Sequence, residues 1–267
     1  MGNPRYCLQP MFRLFLSLAL VGFLALIVAG HVTELRRRAA REAAPTPGAL
    51  PTDTGASPAS ALPRFVPLDS ITRLSARIQL TSDTHRQYLD SLVLVTDSIV
   101  RRWPVTDAPI WFTVIPGGSP DFTAGMPGEV GVALDAWSPL ALGLRLLETR
   151  DTAQATLIVD WTPSLPERSG VTNVNWDRTG RILRVRVTLA TRDPVSGEVL
   201  SEHARRAIAL HEMGHALGLP HSADDHDAMH PVTSAERPTD RDLTSIRLLY
   251  SLPTGWIGSG QRPPPRQ

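Results

Sequence analysis

The residues best able to do chemistry lie in one run, His211-Glu212-Met213-Gly214-His215-Ala216-Leu217-Gly218-Leu219-Pro220-His221. His211 and His215 are one helical turn apart, so on a helix both imidazoles project from one face. Rings so placed converge on a single ion about 2.0–2.1 Å from each nitrogen. Glu212 follows His211 by about 100° of rotation, which sets its carboxylate beside the ion's open position and not on the ion. Gly218 is the expected helix stop, because glycine takes a positive φ without a Cβ penalty and turns the chain sharply. Past Leu219-Pro220 that turn returns His221 as a third ligand. Three neutral histidines leave the fourth tetrahedral position to water, the arrangement of a catalytic zinc site and not of a closed structural one. The ion lowers that water's pKa to about 7, and Glu212 is placed to take its proton.

A lone histidine is usually a satisfied core or surface group. Here that reading must hold three times at metal-ligand spacing, and it is rejected. His226 and His230 read as solvent-facing groups or groups behind the ligands, since the metal already has three. Asp224, Asp225 and Asp227 read as a solvated acidic loop, without the EF-hand-like spacing that would support Ca²⁺. The single cysteine, Cys7, precedes the apolar N-terminal run, so it offers neither an internal disulfide nor a thiolate ligand in the globular part.

These residues need elements to position them. A helix is expected from Ser201, a suitable N-cap, to Leu217, and a last helix over Asp240–Leu249. Strands are expected at Ile110–Ile115, closed by Pro116-Gly117-Gly118, and at Thr156–Trp161. Asn175–Leu189 reads as a hairpin turning at Asp177-Arg178-Thr179-Gly180. Its second strand has Leu183, Val185, Val187 and Leu189 inward, with Arg184, Arg186 and Thr188 outward. Two further helices are expected, one from Thr81 to Trp103 with Leu89, Leu92, Val93, Ile99 and Val100 on one face, the other near Glu129–Trp137. The pattern is mixed α+β.

The long histidine motif resembles the metzincin signature, and Ser222 directly after the third histidine is similar to the matrixin branch. Ala228-Met229-His230-Pro231 resembles the Met-turn, which implies that Met229 is a hydrophobic floor beneath the metal with no ligand role. The usual tyrosine after this methionine is His230 here. Astacins carry a glutamate after the third histidine and a tyrosine two past the methionine. Ser222 and Pro231 stand at those places, so no fifth, tyrosine ligand is implied. Upstream, Val130–Trp137 is similar to the first helix of matrixins and Ala155–Val159 to their second strand; Leu243–Tyr250 is similar to their final helix. The resemblance covers about Trp103–Leu252. It implies a metzincin-like domain with a mixed twisted sheet, an active-site helix and a C-terminal helix. It also implies one catalytic Zn²⁺ and cleavage of proteins or peptides lying extended against a sheet edge. The stretch 160–190, where relatives often carry a structural zinc, holds no histidine, so one zinc is expected. Cys7 is on the wrong side of the apolar run for a cysteine-blocked zymogen.

Composition agrees with a globular catalytic domain. Apolar content of 42% and a net charge of +1 exclude a disordered chain and give no reason to invoke nucleic acid. Every basic residue is an arginine, scattered and not clustered as a phosphate-binding surface would want. A monomer is expected. Along the chain, 1–13 reads as a tail and 14–33 as an uncharged apolar run about as long as a bilayer's hydrocarbon core is thick. Residues 34–67 read as a Pro/Ala-rich linker, 68–102 as an N-terminal helical segment, 103–252 as the matrixin-like zinc peptidase domain and 253–267 as a Pro-rich tail. The run 14–33 is longer than the apolar part of a signal peptide, which favours an anchor over a cleaved signal ending near Val28 and Gly30. Arginines flanking it, Arg5 and Arg13 before against Arg36, Arg37, Arg38 and Arg41 after, point the C-terminal side to the cytoplasm. The family resemblance points to an extracytoplasmic or secreted domain. Two functions compete: an endopeptidase, and a catalytically silent metal-binding interaction module of the same fold. Glu212 separates them, because a degenerate copy most often loses the base.

Overall fold

The structure, a computed structural model, describes residues 68–94 and 98–258. The expected tail 1–13, apolar run 14–33, linker 34–67 and most of the tail 253–267 lie outside these residues. Among the described residues no helix is long and apolar enough to cross a membrane.

The first elements correct the expected helix over Thr81–Trp103. Helix α1 spans Ser70–Thr81 instead, followed by a single turn, α2 (Ser91–Leu94), and a short strand, β1 (Ile99–Val100). Asp69 starts α1, its side chain accepting the N–H groups of Ile71 and Thr72 at 3.0 Å. After Thr81 local side-chain bonds outcompete the helix. Gln87 donates to the carbonyls of Leu80 and Ser82 at 2.8 and 2.9 Å, and Asp83 takes φ 55°. Leu89 and Val100 are buried as expected, but from a loop and a strand. Their spacing marks core contact and not helical period.

Strand β2 (Ile110–Val114) leads to helix α3 (Met126–Ala136), which begins before the expected Glu129 because Pro127 suits a first turn. Strands β3 (Leu146–Glu148), β4 (Leu157–Thr162), β5 (Gly170–Trp176) and β6 (Ile182–Ala190) follow. The five strands form one sheet in the order β3-β2-β4-β6-β5, parallel except for β5, which pairs antiparallel with β6 at the edge. The central β4 is nearly all buried, whereas β6 alternates. One alternation fails: Leu183 faces solvent and Ile182 is buried in its place. The pairing runs from Asn175–Arg184 to Trp176–Ile182, so Leu183 is the extra residue of a bulge that reverses the inward face.

Helix α4 (Glu202–Ala216) carries the histidines, capped by Ser201, whose Oγ accepts the Ala204 N–H at 3.2 Å. It is fixed to α3 by a buried bidentate pair, Arg205 to Glu129, at 2.7 and 3.1 Å. Helix α5 (Asp240–Ser251) starts with a reciprocal cap between Thr239 and Asp242. Strand β7 (Gly255–Trp256) closes on β1. A core of Trp137, Leu157, Val185, Val187, Leu210, Met213, Leu217, Met229, Ile246 and Leu249 joins α4 to the sheet, to α3 and to α5.

Candidate metal centre

Helix α4 delivers two of the candidate ligands and its end delivers the third. The ligand atoms of His211, His215 and His221 all lie within 4.8 Å of one another. His215 Nε2 and His221 Nε2 are 3.1 Å apart. Two tetrahedral ligands at zinc distance stand about 3.3 Å apart, so the spacing fits one ion. On the helix, each ring's other nitrogen is held by a backbone carbonyl: His211 Nδ1 donates to Ala228 at 2.9 Å and His215 Nδ1 to Leu219 at 2.8 Å. Those bonds place the proton on Nδ1 and leave the Nε2 lone pair for a metal.

The helix end is built for this return. Gly218 adopts φ 106°, as expected, and a Cβ there would overlap the Arg101 carbonyl oxygen. Three bulky donors satisfy carbonyls along α4: Trp137 Nε1 on Leu210 at 3.0 Å, Trp103 Nε1 on Ala216 at 2.8 Å, and Tyr250 Oη on Leu217 at 2.9 Å. Beyond His221, the Ser222 N–H donates to the Met229 carbonyl at 2.9 Å, closing the loop that brings Met229 beneath the helix. Met229 is fully buried, and a Cβ on Gly214 would overlap its sulfur and the Trp137 ring.

Glu212 is buried beside the triad, and burial raises its carboxyl above the ordinary range. Thr172 of β5 donates its hydroxyl to Glu212 Oε2, which offsets part of that rise. A Cβ on Gly170 would stand 2.5 Å from Glu212 Oε1, so the glycine leaves the carboxylate its space. Neither Gly170 nor Thr172 was legible as a site residue, since no spacing links β5 to the motif. Asp227 corrects the solvated-loop expectation. It is buried and accepts from Ser222 at 2.5 Å, Thr239 at 2.7 Å and Arg241 at 2.7 Å. Asp224, Asp225 and His226 do stand exposed. Burial first, and the charge of a protonated His230 to a lesser degree, keep His211 and His221 from protonating.

Burial is the main reason His211 is lowered to about 4 and His215 to about 3, from an ordinary 6.5. The unfolded chain therefore binds protons that the folded metal-free chain refuses. Stability from these rings is fully present above about pH 6.5 and is lost as pH falls toward 4 and 3. The raised Glu212 acts in the opposite direction, one group against two. Melting of the chelator-treated chain is expected to occur several degrees lower at pH 5 than at pH 7. An unchanged melting temperature would contradict a buried neutral triad.

Two histidines a turn apart, a third behind a glycine turn and a buried glutamate between them define a zinc-peptidase type of centre. Residues 129–251 match the family model described as Matrixin, a stretch just under half of the chain, and the match supports a matrixin-like metzincin domain of a zinc metallopeptidase family. No curated protein matches the chain. The matched stretch begins within α3, yet β2 lies inside the sheet between β3 and β4, so the folded unit extends upstream of the match.

Proposed function

We propose that the chain is a zinc-dependent endopeptidase, with His211, His215 and His221 holding one catalytic ion and Glu212 serving as general base. Zinc bound there supplies a polarised scissile carbonyl and an acidified water. The observation that carries the reading is the buried Glu212 carboxylate, oriented by Thr172 next to three grouped histidines, of which His211 and His215 have their Nδ1 protons held by backbone carbonyls. Burial raises its affinity for a proton and so improves it as a base near neutral pH. Thr172 holds the carboxylate in place, and β5 at the sheet edge offers free backbone groups for an extended peptide.

The test is cleavage of a generic denatured protein by the full chain in detergent, with chelator and after zinc is restored. Activity is expected to vanish and return, with about one zinc per chain by elemental analysis. His221→Ala is expected to weaken zinc binding and activity together. Chelator-resistant cleavage, or two tightly bound zincs, would refute the assignment.

The apolar run 14–33 is read as a membrane anchor from its length and lack of charge, and the family resemblance, against the arginine count, favours the extracytoplasmic side for the domain. The chain is expected to stay with membranes through carbonate washing and to be released by truncation before Ala43. A mature N-terminus near His31 would establish a cleaved signal instead.

A further inference from the structure

We infer that Tyr88 is a positioning residue for the metal centre, acting from outside the matched family stretch through Asp242 and the Ala228 peptide on His211. The inference rests on the metal reading above. Its basis is an unbroken buried chain of hydrogen bonds. The Tyr88 hydroxyl donates to Asp242 Oδ1 at 2.8 Å, Asp242 Oδ2 accepts the Ala228 N–H at 2.8 Å, and the Ala228 carbonyl accepts His211 Nδ1–H at 2.9 Å. Tyr88 is 3% exposed, Asp242 and Ala228 0%, and His211 8%, so water has little access to any link.

The two oxygens of Asp242 have different duties. Oδ2 also accepts the Thr239 N–H at 2.9 Å, while among the described residues Tyr88 alone bonds Oδ1. Without that hydroxyl one oxygen of a buried carboxylate is left bare. The carboxylate must then turn or admit water, and either shift moves the Ala228 peptide. The peptide sets the angle and proton position of the His211 ring, and such outer partners govern metal affinity. Tyr88 is well placed to keep donating, because burial, with Asp242 beside it, raises its phenol far above neutral pH. Its own position is fixed twice on α5, by its N–H on Ser245 Oγ at 3.1 Å and by the Arg241 guanidinium over its ring at 5.4 Å. The functional unit therefore starts no later than Tyr88, in a segment that its sequence marks only as helical.

Ser245 supplies the control. Ser245→Ala removes a bond between the same two segments but leaves the Tyr88–Asp242 link intact. The experiment compares wild type, Tyr88→Phe and Ser245→Ala, all full-length, purified zinc-loaded and titrated with a chromophoric chelator. The visible spectrum of each cobalt-substituted chain is recorded as well. Removing a partner directly on a metal ligand weakens metal binding about 10–100-fold, so Tyr88→Phe, two bonds further out, is expected to weaken it roughly three- to tenfold. Its cobalt bands are expected to shift, while Ser245→Ala melts lower with unchanged zinc affinity and spectrum. Wild-type affinity and spectrum in Tyr88→Phe would overturn the inference. So would an equal loss of affinity in Ser245→Ala, which would reduce Tyr88 to a structural anchor. Absence of zinc from the wild type would instead sink the metal reading itself.

Discussion

Glu212→Gln is expected to cut turnover of a denatured protein substrate by about 10²–10⁴, while zinc content and stability stay close to wild type. Glutamine has the size of glutamate, and its carbonyl oxygen can still accept the Thr172 hydroxyl, so the bond to β5 survives. It also fits the space that Gly170 leaves open. What it loses is the ability to take a proton from the attacking water. Because Glu212 is not among the three grouped ligand residues, metal content should hold. Glu212→Asp is also expected to be impaired, since the shorter side chain draws the carboxylate back from the water and off Thr172. Both variants are to be compared with wild type at matched zinc occupancy. Equal rates in wild type and Glu212→Gln would refute the proposed base. Activity in none of them at full occupancy would favour the silent metal-binding module.

Gly218→Ala is expected to destabilise the chain by about 3–5 kcal/mol, a large share of the 5–15 kcal/mol that holds a domain together. Two causes add. The backbone sits at φ 106°, where an L side chain is strained, and the new Cβ would overlap the backbone oxygen of Arg101, which cannot swing away as a side-chain end could. Relief must come from moving the turn, and the turn carries Leu219, whose carbonyl orients His215, and then His221. Zinc affinity should therefore fall along with stability. Gly128 on α3 has open space around its Cβ position, and Gly128→Ala is expected to be neutral or to stabilise by about 0.4–1 kcal/mol. Denaturant unfolding of both variants, with and without zinc, reads the contrast. A wild-type midpoint for Gly218→Ala would show that another geometry can deliver the third histidine.

The histidine-bearing helix was legible in the sequence because its information is local. Ser201 as cap, the one-turn spacing of the histidines and Gly218 as stop all act within a few residues of one another, and the structure places each as read. The hairpin was legible through its turn residues, but Leu183 was not, since a bulge shifts the alternation without a composition signal. The segment after Thr81 was misread for a related reason. Leu89 and Val100 reach the core from irregular backbone, so their spacing imitates a helix that Gln87 and Asp83 prevent. At the site, Thr172 and Gly170 come from β5, and Tyr88 meets Asp242 across much of the chain. Contacts of that kind depend on how sheet and helices pack, which no window of sequence contains.

The carbonyls that orient His211 and His215 belong to the main chain, of Ala228 and Leu219. No point mutation can delete a peptide oxygen, so the proton positions of these two ligands are insulated from side-chain drift at residues 228 and 219. Variation can reach them only by displacing the peptides, through the glycine turn at 218 or the Asp242 clasp on the Ala228 N–H. A mutational scan of this domain should accordingly find its most sensitive supporting positions at backbone-placing residues, while residues 219 and 228 tolerate any side chain that fits their buried sites.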